Sequence, residues 1–236
     1  MKVIFKQPTA KVTEVFLSIQ GEGVYAGEPH IFVRFHGCNM RCAFCDTPQG
    51  ETPEDSSIRA VVDKITDADK DKKAKAVTIT GGEPLLHSHF LRVLLPPLRE
   101  RVYKIHLDTN GTLPDRLKDV IDLVDIVAMD IKLPSSTKDK HFWEEHIEFL
   151  KIAKTKEVFI KLVVTSETHE ADMERAVKLV EALDMTIPFI FQPASEFGEF
   201  KGVPDNAKLL EWQKKAQSRL KDVRVIPQLH KIIGVK

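Results

Sequence analysis

Cysteine is scarce in this chain: three residues in 236, at positions 38, 42 and 45. An odd number packed into eight residues is a poor disulfide framework and suits a reducing compartment with a metal or cluster site. The remaining sequence has no cysteine, which argues against a second cluster held by thiolates. Net charge is also lacking, because 35 Lys and Arg balance 35 Asp and Glu. No broad basic field is available for nucleic acid, and direct nucleic-acid binding is not expected. No stretch approaches the roughly 20 apolar residues that span a bilayer, so no membrane association is expected. The start, Met1 to Pro8, has neither a long apolar core nor a small-residue cleavage site. It does not read as a secretory signal, and a cytoplasmic protein is expected. Internal repeats, low-complexity tracts and inter-domain linkers are missing too.

What is present is a rhythm of short apolar runs. The hydrophobic content of 42% supports one sizeable core. Ile31–Phe35, Ala76–Thr80, Lys104–Asp108, Asp125–Met129, Val158–Val164 and Pro188–Phe191 are each closed by turn residues, as strands buried on both faces are. Between them lie helical patterns. Met173, Ala176, Val177, Val180 and Leu183 share one helix face, and Trp143, Ile147 and Leu150 share another. Leu91, Leu94 and Leu95 begin a helix that Pro96 and Pro97 are expected to interrupt or end. The alternation predicts an α/β fold with a parallel sheet. Six βα units suit an open partial barrel, although a doubly wound sheet fits the pattern equally. Residues 11–23 read as an entry strand and turn, and residues 204–236 as a C-terminal extension with a helix, a strand near Val223–Ile226 and a tail. The whole, 1–236, reads as one domain.

The spacing Cys38-x3-Cys42-x2-Cys45 follows the first of those runs directly. Three thiolates can hold three irons of a cubane cluster and leave the fourth iron open for a small ligand. The alternative is a structural zinc with His36 or Asp46 as fourth ligand, although His36 lies on the strand only two residues from Cys38. An electron-transfer ferredoxin would need a fourth cysteine. Polar groups then recur at the ends of successive strands: Gly81-Gly82-Glu83-Pro84, Asp108-Thr109-Asn110-Gly111-Thr112, Asp130-Ile131-Lys132 and Gln192-Pro193. Taken singly, these are turns or a solvated rim; together, at one end of a parallel sheet, they favour a shared pocket. His87-Ser88-His89 reads as a solvated loop rather than a metal pair, because no third ligand is nearby.

The cysteine loop, with Phe44 before its last cysteine, resembles the CxxxCxΦC signature of the radical S-adenosylmethionine (SAM) superfamily, and Gly81–Pro84 resembles that superfamily's GGEP motif. The resemblance implies an open (β/α)6-type partial barrel. It also implies a 4Fe–4S cluster on Cys38, Cys42 and Cys45, whose open iron binds the amino and carboxylate groups of SAM's methionine. SAM contacts fall to Phe44, Gly82, Glu83, Asp108, Asn110, Asp130, Ile131, Lys132 and Gln192. The segments Glu14–Gly23, Phe32–Asn39, Cys45–Thr47 and Val225–His230 closely resemble the 7-carboxy-7-deazaguanine synthases, which act in queuosine and deazapurine biosynthesis, a tRNA-modification pathway. That family implies 6-carboxy-5,6,7,8-tetrahydropterin as substrate and loss of ammonia. Arg34 would take the substrate carboxylate, Glu22 the guanidine-like edge, and Gln20 and Gly21 the remaining edge groups. Thr80 and His230 would also face substrate, and Thr47 would be a ligand of Mg2+. The family further implies a homodimer and a flavodoxin- or ferredoxin-type reductant. Bland alternatives stand beside these roles: a turn at Gln20–Gly23, an ion pair of Arg34 with Glu22 or Asp46, and a loop exit shaped by Thr47 and Pro48. Activases of glycyl-radical enzymes share the N-terminal motif, but they dock on a protein partner and often carry extra cysteines.

Overall fold

A computed structural model of the chain describes residues 7–47 and 50–236. The reading of the first residues as no signal segment, and Pro48 beside Thr47, lie outside the described residues. The six apolar runs become β2 (Pro29–Phe35), β4 (Ala76–Gly81), β5 (Lys104–Thr109), β6 (Ile126–Asp130), β7 (Glu157–Val164) and β8 (Phe189–Pro193). They lie side by side and parallel in that order. The entry strand β1 (Thr9–Ile19) pairs antiparallel with β2, and β3 (Asp55–Ser57) borders β1. The C-terminal strand β9 (Val223–Val225) adds in parallel to β8. The nine strands run from β3 to β9 without closure, so the sheet is open and not a complete barrel.

Each parallel strand has two jobs because alternate side chains face opposite ways. One set, including Ile31, Val33, Val77, Ile79, Ile105, Leu107, Val127, Ile160 and Leu162, is buried in the main core. That core is covered by α1 (Ile58–Ala68), α2 (Ser88–Glu100), α3 (Pro114–Lys118), α5 (Trp143–Ala153), α6 (Glu170–Asp184) and α7 (Asn206–Gln217). The other set faces the concave side. Its deeper layer is apolar and aromatic: Ile126, Ala128, Phe159 and Ile190 pack with Val24, Tyr25 and Ile226. His30 and His106 join this floor with ring centroids 5.5 Å apart. Burial pushes their imidazoles down to about 4 and about 3, so both are neutral at pH 7. The upper layer is mostly polar: Arg34 pairs in register with Thr80, Asp130 with Lys161, and Gln192 with the one apolar member of these pairs, Val163.

Two expectations fail here. Helix α2 runs through Pro96 and Pro97 to Glu100. The prolines sit in its last two turns, and continuing the helix keeps Leu98 fully buried beside Leu94 and Leu95; that packing offsets the backbone hydrogen bonds the prolines remove. His87-Ser88-His89 is not a solvated loop. His87 closes a 3-10 turn (Pro84–His87), stacks on Phe35 at 5.1 Å and has Nε2 3.0 Å from the His36 carbonyl. Ser88 starts α2 and donates to Asp119 at 3.0 Å; only His89 is exposed. Among the described residues, no helix is long and apolar enough to cross a membrane.

Candidate active site

The polar layer opens into a cavity at the carboxyl ends of the parallel strands. Cys38, Cys42 and Cys45 line it together with Gln20, Gly21, Glu22, Arg34, Phe44, Thr47, Thr80, Gly82, Asp108, Asn110, Asp130, Lys132, Gln192 and His230. Glu83 and Ile131 are not at its surface. Ile131 is buried in the core and its N–H bonds the Lys161 carbonyl at 3.0 Å. Glu83 lies underneath, accepting from Leu85 N–H (3.0 Å), Thr109 Oγ1 (2.8 Å) and Asn110 N–H (2.8 Å). Burial pushes its carboxyl up to about 7, against the pull of those three donors.

The cysteine loop is held from both sides. Ala43 N–H bonds the Thr137 carbonyl, and Arg41 N–H bonds Asp139 at 3.2 Å, where the short helix α4 (Pro134–Thr137) ends. On the other flank, Asn39, Asn110 and Thr112 close a ring of hydrogen bonds: Asn39 Nδ2 to Thr112 Oγ1 (2.8 Å), Thr112 Oγ1 to Asn110 Oδ1 (2.6 Å), and Asn110 Nδ2 to Asn39 Oδ1 (2.9 Å). The glycines of the next loop are there for space. Gly81 adopts φ +132°, and a Cβ on it would lie 2.1 Å from the Phe35 carbonyl oxygen. A Cβ on Gly82 would lie 2.0 Å from the Gly37 carbonyl oxygen and 3.1 Å from Cys38 Cβ. Backbone of this loop therefore touches the base of the cysteine loop, as a site for a bound ligand requires.

The thiols fit an iron–sulfur cluster better than a single ion. Met40 N–H points at Cys38 Sγ (3.4 Å), and Asn110 Nδ2 lies 3.8 Å from it; such donors tune a cluster's sulfur ligands. Among the described residues, no three His, Cys, Asp or Glu side chains converge to hold one metal ion, so neither His36 nor Asp46 completes a preformed zinc site. Instead, His36 lies 3.4 Å from Thr52 Oγ1, while Asp46 takes Gln228 Nε2 at 3.1 Å and Lys231 Nζ at 2.5 Å. Burial raises the Cys38 thiol and pushes Cys42 up to about 11, so losing these protons is coupled to binding iron.

Asp130-Ile131-Lys132 is no solvated rim. Asp130 is buried and meets Lys132 Nζ at 2.7 Å, and the Lys132 ammonium lies 5.5 Å from the Phe44 ring centre. His146, fully buried on α5, joins two strand ends. Its Nε2 accepts from Lys132 N–H at 3.0 Å, which makes Nδ1 the donor to the Gly111 carbonyl at 3.0 Å. Burial lowers its pKa to about 4, and the neutral ring is the state this bridge needs.

Across the cavity, Gln20 is buried and its Oε1 accepts from Glu22 N–H at 3.1 Å, fixing the turn after β1. Arg34 pairs with neither Glu22 nor Asp46. Its Nε lies 2.7 Å from Glu14 Oε1, an ion pair without a directed N–H bond, and its guanidinium lies 5.8 Å from the centre of the Phe16 ring. Thr80 Oγ1 donates to Asp108 at 3.2 Å. His230, on the short helix α8 (Leu229–Ile233), covers Gly21, where any Cβ would overlap its ring. Glu22 meets Lys161 Nζ at 2.5 Å, Gln192 Nε2 at 3.0 Å and Gln228 Nε2 at 2.9 Å.

Lys161 was missed from the sequence, and neither Gln228, within the Val225–His230 segment, nor Asp46, weighed as a zinc ligand or an Arg34 partner, was assigned the contacts it makes here. Lys161 carries a signal that could have found it, being the one ionisable residue within Val158–Val164, where a buried charge must be paired.

The model of the Radical SAM superfamily matches residues 32–180. A 7-carboxy-7-deazaguanine synthase of Geobacter sulfurreducens is 38% identical, covering 97% of this chain and 98% of that protein. One of Methanopyrus kandleri is 36% identical over 96% and 94%. In fold, the chain is similar to the crystal structure of QueE from Escherichia coli: TM-score 0.64, 22% identity, 94% of this chain and 95% of that one.

Proposed function

We infer the reaction from a membership: the chain belongs to the radical SAM superfamily and, within it, to the 7-carboxy-7-deazaguanine synthases. It is a radical SAM lyase that converts 6-carboxy-5,6,7,8-tetrahydropterin to 7-carboxy-7-deazaguanine and ammonia. The observation that carries this reading into the structure is that the three cysteines and the substrate-matched residues Glu22, Arg34 and Thr80 line one cavity. Cys38, Cys42 and Cys45 would hold the cluster, which together with SAM would supply reversible hydrogen-abstraction chemistry.

The chain's own residues bind and orient. Arg34 presents a planar cationic fork to the substrate carboxylate, and its ion pair with Glu14 sets the fork's direction. Burial alone would push the Glu22 carboxyl up, but the Lys161 ammonium and the Gln228 amide outweigh it and hold it at about 2. Glu22 is thus an obligate acceptor, matched to the N–H groups of the pterin's amino-amide edge. Thr47 offers a hard oxygen for Mg2+, beside an Asp46 anchored by Gln228 and Lys231. Asn110 and Gly82 bring SAM-facing groups against the cysteine loop. The aromatic floor beneath keeps water from the far side of the layer. A flavodoxin- or ferredoxin-type reductant, a homodimer and a cytoplasmic location complete the proposal.

The test is anaerobic reconstitution with reductant, SAM, Mg2+ and the tetrahydropterin, with mass spectrometry of the products. 7-Carboxy-7-deazaguanine is expected to form, and Cys42→Ala is expected to abolish it. Deoxyadenosine without that product would keep the radical chemistry and overturn the substrate.

A further inference from the structure

Lys161 sits mid-strand in β7, 6% exposed. A lone ammonium there would be driven to neutrality by desolvation. Instead, three carboxylates from three elements surround it: Glu22 Oε2 at 2.5 Å, Asp108 Oδ1 at 3.2 Å and Asp130 Oδ2 at 3.9 Å. Asp130 has a second cation in Lys132. Among the described residues, Lys161 is the sole cation in ion-pair contact with either Glu22 or Asp108. Glu22 otherwise receives only the neutral amides of Gln192 and Gln228. The other titratable neighbours are His230 on α8, whose field favours the Glu22 anion, and the neutral His106 one layer deeper on β5.

We propose that Lys161 is a positioning residue for substrate recognition. It fixes the Glu22 carboxylate, ionised and aimed into the cavity, as acceptor for the heterocycle's amino-amide edge. Its contacts with Asp108 and Asp130 tie that acceptor to the cofactor-side strand ends. The proposal rests on the reading of Glu22 as the substrate's acceptor.

Without Lys161, burial, the largest influence on the Glu22 carboxyl, pushes it up against only the remaining pull of Gln228 and His230. A protonated carboxyl then sets an O–H against an N–H donor, a mismatch that leaves a buried donor unpaired. The resulting defect depends on pH, whereas a merely structural loss does not.

The experiment measures tetrahydropterin binding by anaerobic equilibrium dialysis on cluster-loaded protein with SAM, from pH 6 to 9. Wild type supplies the substrate's own pH dependence. Relative to it, Lys161→Met is expected to bind up to about tenfold more weakly for each pH unit below a new midpoint. Lys161→Arg, which keeps the cation, follows wild type, and Glu22→Gln binds weakly with no added pH dependence. If Lys161→Met does not fold, Lys161→Gln carries the same expectation. A neutral variant whose affinity runs parallel to wild type at every pH overturns the role of Lys161, even where Glu22→Gln is impaired. Wild-type affinity in Glu22→Gln overturns the reading of Glu22 itself.

Discussion

Glu22 and Glu83 each follow a glycine at a strand end, and each carboxylate receives three hydrogen-bond donors. Their proton affinities nevertheless move in opposite directions, down to about 2 for Glu22 and up to about 7 for Glu83. The difference is one ammonium. Glu22 has Lys161 among its donors; Glu83 has a hydroxyl and two backbone N–H groups, with the negative Asp108 nearby. Neutral donors moderate the cost of burying a carboxylate, whereas a contacting cation reverses it. Exposure agrees with the division of labour: Glu22 keeps 19% of its side chain open to the cavity, while Glu83 is 0% exposed. One is an acceptor aimed at a ligand, and the other is a brace that positions Asn110 and the Gly82 loop.

The largest way to break this contrast is to delete the ammonium. Lys161→Met leaves Glu22 and Asp108 facing each other with no cation, and about 3–5 kcal/mol of stability should be lost at neutral pH. Urea unfolding measures it, and the loss should shrink toward pH 5 as carboxyls take up protons. A loss below about 1 kcal/mol would mean that hydration of the open cavity already suffices for the carboxylates.

Glu83 gives the next effect, with the opposite pH sense. Glu22 has a depressed folded-state pKa, so its contribution is full above about 4.5 and is lost as pH falls toward 2. Glu83 has a raised one, so its contribution is full below about 4.5 and is lost as pH rises through 7. A shift of that size corresponds to on the order of 3 kcal/mol. Glu83→Gln, neutral at every pH, should gain about that much relative to wild type between pH 4.5 and 8. Parallel stability curves would show that three neutral donors are enough to keep the buried anion.

The sequence revealed the strands of this fold and concealed part of its wiring. Parallel strands buried on both faces read as continuous apolar runs, so all six were legible, as was the cysteine loop at the end of the first. The prolines of α2 misled because propensity is local, whereas the burial of Leu98 is a property of the assembled core. Lys161 was visible as a charge inside an apolar run; its partners were not, because Glu22 lies 139 residues away. Gln228 stood within the Val225–His230 segment, but nothing local gave its partners: it reaches Glu22 across 206 residues and Asp46 across 182. Glu14 was hidden as the partner of Arg34 for a different reason: their pairing follows from the β1–β2 register rather than from any motif.

The smallest effect sharpens the contrast by removing a neutral donor where the cation stays. Thr80 Oγ1 donates to Asp108 Oδ2 at 3.2 Å, while Lys161 holds the other oxygen, also at 3.2 Å. Thr80→Val is close to isosteric and deletes only the hydroxyl. If the ammonium dominates the fate of a carboxylate in this layer, stability falls by no more than about 1 kcal/mol, the net worth of a neutral hydrogen bond. Thermal unfolding at pH 7.5 would then shift by about 2–4 °C. A loss above about 2 kcal/mol would place a neutral hydroxyl on a par with the cation. The opposite behaviour of Glu22 and Glu83 would then have to come from their different exposure rather than from charge.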